Sequence, residues 1–373
     1  MITIIALTTL VASFAISMNT EVRLARNADY DQELEWLGRS GVELARFALA
    51  NKCPEQRNID ALNQFWAGGT SPCSNDIPQI SLKNVTLGRG RISVTITDME
   101  RKWSIYSALN PRAPQRDVLQ KALTIVGLTD MAQASTIEES LLEWCNPNMM
   151  AGFNDKNDYY THLSPPYYCK SGPIDDLSEL LLVKGITPEI YWGSFSTNHP
   201  VSAYLEHGSG AYGQPVTGNN GPFRGRDEPV YPYGLEQLFS PMGNKLNINT
   251  ASALTLQLIP GIDESTAQRI IERRAGPDGI DGTDDDMPFQ NIGEINGGMP
   301  GGGGPGGFQP NVPGAPPMGI AAQSMNSYID VRSYVFNVTV EAEINGYTRI
   351  FHGIVSRSGQ GAQQLKCVRF YWD

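Results

Sequence analysis

Five carboxylates fall close together in this chain: Asp278, Asp281, Asp284, Asp285 and Asp286, with Gly276, Gly279 and Gly282 between and before them to supply tight turns. Carboxylates so crowded repel one another unless a hard cation sits among them, and a donor set of oxygens alone selects calcium over a transition metal. The spacing is not that of an EF-hand. Without an ion, the same stretch is a solvated acidic loop whose role is solubility.

Other reactive side chains point away from catalysis. The five cysteines, Cys53, Cys73, Cys145, Cys169 and Cys367, show no C-x-x-C spacing, so zinc is not indicated. In an oxidising compartment Cys53 with Cys73, and Cys145 with Cys169, would close loops of about twenty residues, each contributing ~3 kcal/mol in the chain-entropy model. Cys367 is then left over as a thiol, and a wholly reduced chain is the alternative. The four histidines, His162, His199, His207 and His352, are scattered, with no H-E-x-x-H, G-x-S-x-G or G-x-x-x-x-G-K pattern. Gly208-Ser209-Gly210 beside His207 lies in a polar stretch unable to hold a nucleophile rigidly. No enzyme is expected.

Two further stretches carry binding chemistry. Leu180 to Pro188 and Leu256 to Glu264 both read as helix, glycine hairpin, helix. Such hairpins bind DNA elsewhere, by presenting backbone N–H groups to a phosphate. Here the first copy has Thr187-Pro188 where donors are wanted, and the second has Asp263 and Glu264, which repel phosphate. Arg269, Arg273 and Arg274 are the compensating cluster. Structural packing is the expected role, and a membrane-anchored DNA-binding protein the rival.

These sites need elements to hold them. From Ile2 to Met18 nothing is charged, and Ile5, Leu7, Leu10 and Phe14 belong to a run that is apolar on every helical face. Those residues span roughly 25 Å as a helix, enough to anchor in a membrane with some thinning. No Gly or Pro interrupts the chain before Gly38, and helical spacing resumes through Val42, Ala45 and Leu49, so one long helix is expected. There is no Lys or Arg before Arg23 and no A-x-A site, which argues against a cleaved signal peptide. A plain single-pass anchor is the simpler alternative.

Ile92 to Thr97 and Trp103 to Tyr106 alternate as strands, and a short helical turn is expected around Leu62 to Trp66. Near the C-terminus, Tyr334 to Ile344 and Tyr347 to Val355 flank Asn345-Gly346, a strong hairpin signal, and Leu365 to Trp372 could add an edge. Between the two strand regions lie helices at Arg116 to Val126 and Thr136 to Trp144, the second opening on a capping-box pattern. Asn198 to Pro229 and Gly297 to Gly319 read as flexible. With 373 residues and 40% apolar composition the chain can bury real cores, while a net charge of −11 argues against general affinity for nucleic acid or anionic lipid.

The long greasy helix resembles the shared N-terminal helix of type IV pilins and pseudopilins. Asn247-Ile248-Asn249-Thr250-Ala251 before Pro260-Gly261-Ile262 and Arg273, together with Asp158-Tyr159-Tyr160, Pro165-Pro166-Tyr167 and Ser178-Glu179-Leu180, is similar to the largest minor pseudopilin of type II secretion, the general secretion pathway protein K family. The resemblance implies an α+β fold: a pilin-like helix (1–52) on an antiparallel sheet (53–109 and 326–373). A mostly helical insertion (110–275) and an acidic, Gly/Pro-rich segment (276–325) interrupt the sheet. It implies a single-pass protein of the bacterial inner membrane, folded in the periplasm. Its place would be the pseudopilus tip, with I and J pseudopilins through the helices, H below, the assembly platform, and secreted cargo. A tip minor pilin of a type IV pilus or DNA-uptake filament is the nearest alternative. Pilins usually carry a glutamate at position five of the mature helix; Ile5 here fits a subunit with no neighbour above it, since an unpaired carboxylate in hydrocarbon is costly. The family's acidic run after the second inserted helix is replaced by Glu143-Trp144-Cys145-Asn146, leaving Asp155 and Asp158 as weaker calcium donors.

Overall fold

The computed structural model describes residues 2–53, 56–69, 81–109, 116–146, 157–194, 231–297, 326–359 and 364–372. The chain forms two compact units: Met1–Asp98 with Ile280–Asp286 and Tyr334–Asp373, and Met99–Gly279 with Met287–Ser333. The fold is α+β, a long N-terminal helix on an antiparallel sheet with a mostly helical insertion.

In the first unit, helix α1 runs unbroken over Ile2–Ala50. Strands β1 (Val85–Leu87) and β2 (Gly90–Asp98) precede the insertion. The C-terminal strands of this unit are β7 (Val335–Ile344), β8 (Tyr347–Arg357) and β9 (Leu365–Trp372), and the sheet order is β1-β2-β7-β8-β9, all antiparallel. The hairpin between β7 and β8 turns on Asn345 and Gly346, both at positive φ (50° and 80°), the geometry a two-residue hairpin requires. Strand period two puts Ile92, Val94 and Ile96 of β2 opposite Ala342, Val340 and Val338 of β7, all on the face toward the helix.

The second half of α1 lies on that face. Leu34, Leu37, Val42, Ala45, Ala48 and Leu49 are buried against it. Glycine sets how close the helix comes: a Cβ on Gly41 would fall 2.4 Å from Val340 Cγ1, and one on Gly38 2.6 Å from Phe351 Cγ. A salt bridge from Arg349 to Asp31 (3.3 Å) marks where burial begins.

The far end of the helix is tied by a buried ion group. Asp60, fully inaccessible, pairs with Lys52 and with Arg357 Nη1 at 2.6 Å. Lys52 Nζ also donates to the carbonyl of Ile59 (2.6 Å) and Arg357 Nη2 to that of Leu49 (3.3 Å). Burial pushes the Asp60 carboxyl up, but the charges and hydrogen bonds of Lys52 and Arg357 outweigh it and hold the pKa below the usual carboxylate range.

Among the described residues, the second unit carries two short parallel ladders. Strand β3 (Trp103–Ser104) pairs with β4 (Phe239–Ser240), and β5 (Leu246–Asn247) pairs with β6 (Ile329–Asp330). Its helices in chain order are α2 (Ile105–Leu109), α3 (Arg116–Val126), α4 (Met131–Cys145), α5 (Asp158–Thr161) and α6 (Pro188–Trp192). Then come α7 (Leu235–Leu238), α8 (Ala253–Leu256), α9 (Glu264–Arg274) and α10 (Gly293–Gly297).

Several local expectations change. The run Trp103 to Tyr106 is strand only at Trp103–Ser104 and pairs within the second unit, not in the main sheet. Ile105, Ala108 and Leu109 are buried at helical spacing, which four alternating residues could not reveal. Helix α4 starts at Met131, capped by Asp130 accepting from the Ala132 N–H (2.9 Å). Thr136 is therefore mid-helix, its hydroxyl donating back to the Ala132 carbonyl, and not a cap. Near Trp66 the chain makes a 3₁₀ turn over Phe65–Ala67. The segments at Asn198 to Pro229 and Gly298 to Gly319 lie outside the described residues.

The ion group gives a pH dependence. Because the folded pKa of Asp60 is depressed, its stabilisation is fully present above the unfolded carboxyl value of about 3.9 and is lost as pH falls through the folded value. Asp60→Asn leaves Lys52 and Arg357 buried with their charge unbalanced. It should lower stability at neutral pH by about 3–5 kcal/mol. Urea titrations of the full chain in detergent should show wild type losing more stability on acidification below about pH 4 than the variant; parallel losses would refute the role.

Candidate assembly surface

Among the described residues, the first half of α1 has no partner in its own chain. Ile5, Leu7, Leu10 and Phe14 are 60%, 67%, 68% and 63% exposed, and Ile4, Val11, Ile16 and Leu24 are exposed as well. This part of the helix is long and apolar enough to cross a membrane, with none of its most apolar window buried. Three of its hydroxyls are satisfied within the helix: Thr8, Thr9 and Thr20 donate to the carbonyls of Ile5 (2.9 Å), Ala6 (2.9 Å) and Ile16 (3.0 Å). A hydroxyl bonded back to its own helix can enter hydrocarbon or an apolar helix bundle. The contrast along one helix is sharp: the large apolar side chains are bare through Leu24, whereas from Leu34 on, Trp36 excepted, they are seated on the sheet.

The motif Asn247 to Ala251 proves to be wiring. Asn249 exchanges two hydrogen bonds with the main chain of Phe289, its Nδ2 donating to the carbonyl (2.9 Å) and its Oδ1 accepting from the N–H (2.8 Å). Asn247 Nδ2 donates to Ser333 Oγ (2.7 Å) while its Oδ1 accepts from the Asn249 N–H (2.9 Å). Buried amides that mimic a strand partner cross-link chain segments distant in sequence.

The second hairpin lies between α8 and α9. Gly261 turns it at φ 86°, and Asp263 caps α9 by accepting from the Thr266 N–H (2.8 Å). A carboxylate thus already fills the position a phosphate would take. Lys121 Nζ donates to the hairpin carbonyls of Ile259 (2.9 Å) and Ile262 (3.3 Å). Arg274 is buried, giving its Nη1 to the carbonyls of Ile248 (2.8 Å) and Ala251 (2.6 Å). Arg273 pairs with Glu294 (3.1 Å) and lies over the Phe289 ring (4.0 Å). Arg269 donates to the Ser265 carbonyl (3.4 Å) and to Thr266 Oγ1 (3.1 Å) of its own helix, so all three arginines make internal contacts. In the first hairpin, Leu177–Leu182 is 3₁₀ with a capping box from Asp176 and Glu179, and Thr187 caps α6 with Pro188 in its first turn.

The acidic residues are less gathered than their spacing allows. Asp278 belongs to the second unit, and Asp281, Asp284, Asp285 and Asp286 to the first. Asp286 accepts from the Gly282 N–H (2.8 Å), and Thr283 Oγ1 donates to Asp285 (2.8 Å). Burial first, then the charge of Asp281, raises the Asp286 carboxyl above its ordinary value, against the hydrogen bonds from Gly282 and Thr283. Among the described residues no three Asp, Glu, His or Cys side chains converge on one point. Asp158 opens α5, where its carbonyl meets His162 Nδ1 (2.6 Å); Asp155 lies outside the described residues, as does Cys73. Cys53, Cys145, Cys169 and Cys367 are thiols. Of the histidines, His352 stacks on Tyr371, and His199 and His207 lie outside the described residues.

Comparison with known proteins bears on this arrangement. Residues 98–192 match the family model described as type II secretion system (T2SS), protein K. This segment of the chain is similar to the type II secretion system protein K family. The protein K segment runs from the end of β2 through α6 and includes the packed rings of Trp144, Tyr160 and Tyr167. Protein K is a structural pseudopilin and not an enzyme. Residues 242–280 match a helix-hairpin-helix motif model, which takes in the hairpin between α8 and α9. A chain from the crystal structure of the GspK-GspI-GspJ complex of the enterotoxigenic Escherichia coli type 2 secretion system is similar over 94% of this chain and 99% of that one, with a TM-score of 0.58 and 17% identity. At that identity the likeness is one of fold. No curated protein matches.

Proposed function

We propose that this protein is the protein K minor pseudopilin at the tip of a type II secretion pseudopilus, where it nucleates and caps filament assembly and so supports protein export across the outer membrane. The observation that carries the reading is the divided helix. Its first half exposes its large apolar side chains, while its second half is fixed to a pilin-like sheet in a chain that also bears a protein K segment. In the bacterial inner membrane the bare half is solvated by lipid, with the folded part in the periplasm. In the filament, helices of other minor pseudopilins replace the lipid. The similar solved structure is of a complex with GspI and GspJ, and subunits of those types are the partners proposed here, with an H-type subunit below. The protein K segment favours secretion over a type IV pilus, and the inward-turned arginines count against DNA.

Co-expression of the full chain with I- and J-type pseudopilins tests this. Ile5→Asp or Leu10→Asp places a charge that costs about 2.5–3.5 kcal/mol in an apolar helix environment. Either change should abolish co-purification and leave the melting of the folded part unchanged; retained assembly would count against the reading.

We also propose that the acidic loop takes calcium weakly. The carboxylates are not gathered beforehand, so the ion must gather them against their repulsion, which fits a Kd of about 10⁻⁴ to 10⁻³ M. At a hundredfold excess over Kd, binding would stabilise by about 2.7 kcal/mol. The melting temperature should rise in millimolar calcium and much less in magnesium, and the rise should vanish when Asp281, Asp284 and Asp286 become Asn. No rise would return the loop to a solvating role.

A further inference from the structure

We propose that Cys145 and Cys169 are oxidised to a disulfide that ties the C-terminal end of α4 to the segment from Tyr167 to Gly172. These are the cysteines of the second unit; Cys53 and Cys367 fall within the first. Main-chain and side-chain contacts bring the segment to the residues just before Cys145. The Gly172 N–H donates to the Trp144 carbonyl (3.0 Å), and Cys169 Sγ donates to the carbonyl of Glu143 (3.5 Å). The Cys169 N–H is held by Asn157 Oδ1 (3.0 Å), and the Tyr167 N–H by the Tyr160 carbonyl (3.2 Å). Below them Trp144, Tyr160 and Tyr167 pack with ring centroids 5.5 to 6.4 Å apart. The segment carrying Cys169 is thus held, through contacts around Cys169, against the two residues that immediately precede Cys145. The Cys145 thiol is pushed up to about 12, first by burial, then by the charges of Glu179 and Cys169.

The reaction breaks two S–H bonds and forms one S–S bond. Two electrons and two protons pass to a thiol–disulfide oxidase of the receiving compartment, or in vitro to oxidised glutathione, which leaves as two thiols. Attack requires a thiolate. Burial keeps the thiolate fraction of Cys145 very small in the folded chain, so the bond forms while the segment is still open and is then protected by closure of the fold. The proposal rests on the export reading only for its oxidant.

The experiment uses the full chain, exported by a bacterial host, alkylated under denaturing conditions without reductant and digested for mass spectrometry. A single cross-linked pair of peptides carrying Cys145 and Cys169 is expected, separating on reduction. A second sample, unfolded and refolded in a glutathione redox buffer, should give the same pair whichever compartment the chain reaches, so failed export and failed pairing are distinguishable. Cys145→Ala and Cys169→Ala should each lower the melting temperature of the oxidised protein by about 5–10 °C, and the double change no further than either alone. Both cysteines recovered alkylated from the refolded sample, or either one bonded to Cys53, Cys73 or Cys367, would overturn the proposal.

Discussion

The seating of α1 on the sheet is the contact from which everything else in the first unit follows. Gly38 and Gly41 let the helix backbone approach Phe351 and Val340, and larger side chains there would force it away. The buried Asp60 group then locks the helix end, joining Lys52, the carbonyl of Leu49 and Arg357 of β8. A continuous helix fixed in this way cannot fold its first half back over the same sheet. Among the described residues nothing covers the apolar surface from Ile4 to Leu24, a surface suited to lipid or to neighbouring helices.

The second unit solves a different problem, holding many short elements together with little regular sheet. Its two ladders are only two residues long on each strand, so they contribute few main-chain bonds. Buried polar side chains supply the rest. Asn247 and Asn249 act as substitute strand neighbours, Arg274 gathers two carbonyls, and the Trp103 indole N–H donates to the Thr255 carbonyl at 2.9 Å. Groups so placed are costly to remove because each leaves a buried partner unsatisfied. The hairpin that elsewhere holds phosphate is here a joint, capped by its own aspartate and braced by Lys121.

Much of this is legible in the residues, for physical reasons that differ between elements. The long helix announces itself by the lack of any charge before Glu21, and the β7–β8 hairpin by alternation around Asn345-Gly346, because these signals are local and strong. Helix α3 matches its apolar spacing at both ends. Short elements are harder: Trp103 to Tyr106 alternates, yet what decides the conformation from Ile105 on is burial of Ile105, Ala108 and Leu109 within the second unit. Strand β1 leaves no signal, since three residues with two exposed side chains carry no pattern. The start of α4 is hidden because Met131 is exposed and only Asp130 marks the cap. Among candidate site residues, the bare helix positions are readable, whereas the inward direction of Arg273 and Arg274 is not, because their partners leave no trace in side-chain spacing.

The central claim is that the bare half of α1 is covered by other pseudopilin helices when the filament assembles. Photo-crosslinking in cells measures this directly, with a photoreactive amino acid placed at Leu10 or Phe14 of the full chain while secretion is active. The account predicts discrete adducts with I- and J-type subunits from these positions and none from the sheet-facing Ala45. Adducts confined to lipid, with no protein partner at either position, would contradict it.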